Sequence, residues 1–89
     1  MNLFKSDSKK EETLRDFLEK IVKFIVDNPD AISISETEED GAIVYNLKVE
    51  QGDLGKVIGK NGQNANSLRK LLGAIGAKHG QRVQLKILE

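Results

Sequence analysis

The 89-residue chain has no cysteine and no tryptophan, and one residue each of histidine, proline and methionine. Without cysteine there is no disulfide framework and no thiolate metal site. The lone His79 has no carboxylate near it in sequence, so it cannot build a metal site. No metal or other cofactor is expected. Aromatic residues make up only 4% of the chain. Phe17, Phe24 and Tyr45 are read as core residues, and Phe4 falls near the N-terminus. That leaves no exposed pair of rings on which bases could stack. No apolar run approaches the roughly 20 residues that span a bilayer. Residues 1–10 carry charge but no apolar centre, so they do not form a signal peptide. These absences fit a cytoplasmic protein with no membrane partner.

Net charge is also lacking, at 14 Lys and Arg against 14 Asp and Glu. The zero hides a division. Residues 1–50 hold 7 basic and 12 acidic side chains, a net of −5, and residues 51–89 hold 7 and 2, a net of +5. Such a split allows one electropositive face on a neutral molecule. The length suits one domain. A domain this small buries only roughly 60–65% of the surface of its unfolded chain, so a second subunit covering apolar surface would help it.

Residues 1–10 show no periodic pattern and are read as a flexible tail, with a single domain over residues 11–89. Ser8-Lys9-Lys10-Glu11 fits a capping box, and Thr13 is a rival start for the first helix. Leu14, Phe17, Leu18, Ile21 and Ile25 recur at helical spacing, widened by Val22, Phe24 and Val26. The helix is expected to stop at Asp27-Asn28-Pro29. Ile32 and Ile34 alternate with serines, as in a half-buried strand. Asp40-Gly41 supplies a tight turn. Ile43, Tyr45, Leu47 and Val49 continue the alternation, so the two runs pair as an antiparallel hairpin. Glu36, Glu38, Glu39 and Asp40 are assigned to its solvated tip. Asp53 is placed as N-cap of a short helix, residues 54–58. A longer helix follows, with Ala65, Leu68, Leu71, Leu72 and Ile75 on one face and Gly80 as its cap. Val83, Leu85 and Ile87 form a last strand. The order α-β-β-α-α-β, with a three-stranded sheet packed on a helical layer, makes a two-layer α+β domain.

The chemistry concentrates in Gly59-Lys60-Asn61-Gly62, between the two later helices. Glycines at both ends let the backbone turn sharply and let another backbone approach. The first amides of the following helix lack intrahelical partners, and with the helix dipole they favour an anion. Lys60 adds a mobile charge, and Asn61 adds a donor and an acceptor. The spacing excludes a Walker A loop and a dinucleotide fingerprint. Ser67-Leu68-Arg69-Lys70 matches a Ser-x-x-Lys spacing, but its companion motifs are missing, so the match is read as chance. With no acid–base constellation complete, the chain is not read as an enzyme.

Val57-Ile58-Gly59-Lys60-Asn61-Gly62 resembles the Val-Ile-Gly-x-x-Gly signature of KH domains, whose loop clamps about four nucleotides of backbone. The element order resembles the type II arrangement. Asp27-Asn28-Pro29-Asp30, Leu54-Gly55-Lys56-Val57-Ile58-Gly59-Lys60 and Val83-Gln84-Leu85 are similar to the KhpA family of small bacterial single-KH proteins. The resemblance covers roughly residues 12–89. It implies RNA chaperone-like binding of single-stranded RNA, homodimers, and pairing with a larger KH-containing protein of the KhpB (Jag or EloR) type. By position it implies backbone contacts from Gly59, Lys60, Asn61 and Gly62, with Ile58 at the base of the nucleotide groove. Lys56, Arg69 and Lys70 would extend the positive field. Family members often carry Arg just after the loop, where this chain has Gln63, and an aliphatic residue next, where it has Asn64. The first change removes a charge beside the phosphate site, and the second puts a polar group on a helix that would serve the dimer. The alternative class is a protein-interaction module with residual RNA binding.

Overall fold

The computed structural model describes residues 13–89, so the tail over residues 1–10 and the Ser8 cap lie outside the described residues. Helix α1 spans Leu14–Ile25. Thr13 is its N-cap, and a capping box joins Thr13 Oγ1 to the Asp16 N–H and Asp16 Oδ2 to the Thr13 N–H. The rival start is therefore the one the fold uses. The helix ends at Val26, three residues before Pro29. Strands β1 (Ser33–Glu39) and β2 (Ala42–Lys48) form the expected hairpin. Glu39 pairs with Ala42, leaving Asp40 (φ 51°) and Gly41 (φ 79°) as a two-residue turn. Positive φ at both positions matches the right-handed twist of the strands. Glu36, Glu38 and Glu39 lie inside β1 rather than at the tip, because the turn needs only Asp40 and Gly41.

Helix α2 (Leu54–Ile58) and helix α3 (Gln63–Lys78) lead to strand β3 (Arg82–Ile87). β3 runs parallel to β2, so the sheet is mixed, in the order β1-β2-β3. Helix α3 closes at Gly80 (φ 70°), with Gln81 N–H bonding Gly76 O and Gly80 N–H bonding Ala77 O. This is the Schellman pattern that a left-handed glycine permits. The core joins Leu14, Leu18 and Val22 of α1 to Ile34, Tyr45, Leu47 and Leu85 of the sheet and to Val57, Leu68 and Leu72 of α2 and α3. The Tyr45 hydroxyl is buried with no partner among the described residues, and burial pushes its pKa up.

Two expectations about the core fail. Phe24 is 94% exposed and Phe17 36%, so neither is a core aromatic, and the chain does display exposed rings. Helix α1 buries a narrow stripe on a single sheet face. At about 100° per residue, Phe17 and Phe24 fall on its flank, and amphipathic spacing alone overestimates the width buried. Leu71 of α3 is likewise 42% exposed.

Candidate nucleic-acid interface

Helix α2 is five residues long. A helix of this length does not form alone, so its position depends on what holds its ends. At the N-terminal end stands Asp53, 1% exposed. It makes no side-chain capping bond to α2. Its carboxylate instead accepts from the N–H groups of Asp27 and Asn28 at 3.1 and 3.0 Å, and from Asn28 Nδ2 at 3.0 Å. The donors left free where α1 ends thus outcompete those of the short helix. Burial works to raise the Asp53 pKa, but the hydrogen bonds from Asp27 and Asn28 and the Lys56 charge outweigh it and hold it below the ordinary value. Lys56 Nζ bonds Asp27 Oδ2 and lies 3.5 Å from Asp53 Oδ1. The bond to Asp27 raises its pKa.

The C-terminal end of α2 opens into the loop. Gly59 has φ 76° and ψ 173°, a region essentially restricted to glycine. Lys60–Gly62 form a 3₁₀ turn in which Asn61 (φ 56°, ψ 28°) and Gly62 (φ 75°, ψ 13°) are left-handed. Asparagine is among the few non-glycine residues that visit this conformation routinely. Gly59 N–H bonds Gly55 O, and Gly62 N–H bonds Gly59 O. Helix α2 ends at Ile58 and the 3₁₀ turn begins at Lys60, so the chain leaves the helical ladder at Gly59, just before the N–H groups of Lys60 and Asn61. Successive N–H groups in a turn of this kind form an anion-binding concavity. It sits at the head of the 16-residue helix α3, where the dipole adds to it.

The other expected site residues divide. Ile58 is half-buried at the end of α2, and Gln63 is exposed at the first position of α3, so both adjoin the loop. Lys56 is turned away onto Asp27 and Asp53. Arg69 lies along β3, with Nε donating to Leu85 O at 3.3 Å and Nη1 to Asn66 Oδ1 at 3.5 Å. Lys70 is exposed, about 10 Å along α3 from its start. Beyond it, a groove of about 340 Å³ is lined by Gly73, Ala77, Gly80 and Gln81 and by Arg82, Val83 and Gln84 of β3. The helical spacing of Asn66, Lys70, Gly73 and Ala77 puts them along one side of α3, which joins loop and groove. Ser67 Oγ donates to Gln63 O at 2.9 Å, an ordinary bond within a helix. Among the described residues no group of His, Asp and Glu is arranged to hold a metal ion.

Sequence reasoning missed the carboxylate anchor at Asp53 and the partner of Asn64, whose Nδ2 donates to Lys56 O at 2.9 Å. Both join positions that no periodicity relates. For Asn64 the available signal was a polar residue at a position often aliphatic; Asp53 carried none that distinguishes an anchor from a helix cap.

The α-β-β-α-α-β order, the mixed sheet and a Gly-x-x-Gly loop between the last two helices define a type II KH domain. The family profile described as KhpA/KhpB, KH domain, matches residues 15–87. The chain is 47% identical over 76 residues to a protein of Aquifex aeolicus named RNA-binding protein KhpA, covering 85% of this chain and 96% of that one. Proteins of the same name from Borreliella burgdorferi and Listeria monocytogenes are 42% identical over 74 residues and 37% over 76. These alignments cover 83% and 85% of this chain, and 90% and 100% of the relatives. The chain belongs to the KhpA/KhpB KH-domain family.

Proposed function

We propose that this chain binds single-stranded RNA, with the sugar-phosphate backbone held on the loop of residues 59–62. The observation that carries the reading is the loop backbone: Gly59 takes the chain out of α2, and left-handed Asn61 and Gly62 turn it into the head of α3. Relatives named as RNA-binding proteins support it. Gly59 and Gly62 give the phosphate close access, Lys60 supplies charge, and Asn61 and Gln63 supply amide groups. Ile58, half-buried at the end of α2, supplies apolar surface beside the loop. Arg69 and Lys70 extend the positive face along α3. Lys56 contributes chiefly by fixing α2. Gln63 brings no charge, so the affinity of one domain is modest. The protein then works in the cytoplasm as an RNA chaperone or post-transcriptional regulator, as a homodimer or with a larger KH-containing partner. Among the described residues no helix is long and apolar enough to cross a membrane.

The test is a titration of single-stranded RNA with the wild type and with Lys60→Asp/Asn61→Asp. The variant is expected to stay folded and to lose most affinity. The wild type should show a slope of log K against log salt of roughly −1.4 to −2.1, as for two or three neutralised phosphates. Equal binding by both proteins removes the loop from the site. Absence of binding by either favours the second reading, a protein-interaction module. The observation behind that reading is the exposed apolar surface of Phe17 and Phe24 on α1 and Leu71 on α3.

A further inference from the structure

Asn64 is exposed at the second position of α3, yet its side chain has a fixed partner in the Lys56 carbonyl. In a continuing helix that carbonyl would accept from the N–H of residue 60. The chain leaves the helix at Gly59, so α2 stops at Ile58 and its ladder does not continue to the Lys60 N–H. The Asn64 amide stands in for the missing donor. It also fills the space beside Gly59. A Cβ on Gly59 would fall 2.6 Å from Asn64 Cγ, 2.8 Å from Nδ2 and 2.9 Å from Cβ. Asn64 is therefore seated against the one loop residue whose backbone conformation excludes any side chain.

We propose that Asn64 is a positioning residue of the RNA site: its amide ties the end of α2 to the start of α3 and holds residues 59–62 in the conformation that presents the Lys60 and Asn61 N–H groups. This inference rests on the RNA-binding reading above. Asn64 acts through the loop and not through contact with phosphate. The glycines at both ends of the loop are permissive, so the loop cannot hold its own shape. An apolar side chain at position 64 fills the same space but leaves the Lys56 carbonyl without a donor. The competent loop is then populated only part of the time, and apparent affinity falls by that fraction.

The experiment compares the wild type with Asn64→Leu, using a short fluorescein-labelled random-sequence single-stranded RNA and amide NMR spectra of each protein. Asn64→Leu is expected to bind roughly three- to tenfold more weakly, the scale of one lost hydrogen bond. Amide signals of residues 59–62 should shift or broaden, while those of the three strands stay unchanged and the melting temperature falls by no more than about 8 °C, the scale of the same hydrogen bond. Equal affinity in the two proteins overturns the proposal and leaves the RNA reading intact. No binding by the wild type overturns both. Should Asn64→Leu fail to fold, the wild type decides alone. The Asn64 side-chain amide protons should keep their hydrogen-bonded shifts when RNA is added. Their release on binding makes Asn64 a ligand and overturns the positioning role.

Discussion

At its N-terminal end, α2 is anchored by a buried side chain; at its C-terminal end, it opens into exposed backbone. Asp53 takes three hydrogen bonds from Asp27 and Asn28, all through its carboxylate. The 59–62 loop displays main-chain N–H groups and has left-handed residues where a side chain would be strained. Charge divides in the same way. Lys56 is engaged by Asp27 and Asp53, whereas Lys60, four residues on, makes no ion pair among the described residues. A five-residue helix has little stability of its own. Anchoring one end with a saturated carboxylate lets the other end carry a strained, solvent-facing loop.

The sharpest break of that comparison is Asp53→Ala. It leaves three donors without their acceptor and Lys56 without one of its carboxylates. The melting temperature should fall by roughly 10 °C or more, read by circular dichroism. Asp53→Asn keeps one acceptor oxygen and should fall less. The pH dependence has a definite sign. The folded pKa of Asp53 lies below the ordinary aspartate value. Its contribution is therefore present above the unfolded pKa and lost as pH falls through the folded one. The gap between wild type and Asp53→Asn should hold at neutral pH and close below about pH 4. A gap that persists at lower pH would show that the carboxylate is not the anchor.

The loop glycines test the other end. Gly59→Ala forces an L-residue into a region essentially restricted to glycine and against Asn64, and should cost about 2–3 kcal/mol of unfolding free energy. Gly62→Ala meets only Asn66 Nδ2 at 3.9 Å, so the left-handed conformation alone sets its cost, about 1 kcal/mol. Denaturant midpoints measure both. Equal costs would mean that Asn64 moves aside freely and that the junction is looser than its geometry implies.

Much of this was legible in the sequence, for reasons that differ along the chain. Strand alternation placed Ile34, Tyr45, Leu47 and Leu85 on the buried face, because one side of the sheet meets the helices. Asp40-Gly41 and Gly80 announced their turns, because each requires positive φ. Val57-Ile58-Gly59-Lys60-Asn61-Gly62 marked the loop. The ends of α2 were less legible. Asp53 has the residue type and position of a helix cap, and only the three-dimensional fold offers it better donors at Asp27 and Asn28. Asn64 read as a polar intrusion on a helix face, and its partner eight residues back becomes visible only once Gly59 turns the chain. Phe17 and Phe24 misled because helical spacing shows which face is apolar without showing how much of it is covered.

The smallest effect separates the two lysines. Lys56→Met removes the bonds to Asp27 and Asp53, so the loss should appear in stability. The raised pKa of Lys56 carries the matching sign: its contribution holds below 10.5 and fades as pH rises beyond it. Lys60→Met breaks no ion pair among the described residues and should leave the melting temperature unchanged. For single-stranded RNA the salt slope changes by about 0.7 for each phosphate contact. Lys60→Met should therefore flatten the slope by about that amount, and Lys56→Met should leave it unchanged once measured well below its own melting temperature. A flatter slope in Lys56→Met would place both lysines on the phosphate backbone, and the ion pairs of Lys56 would then have to open when RNA binds.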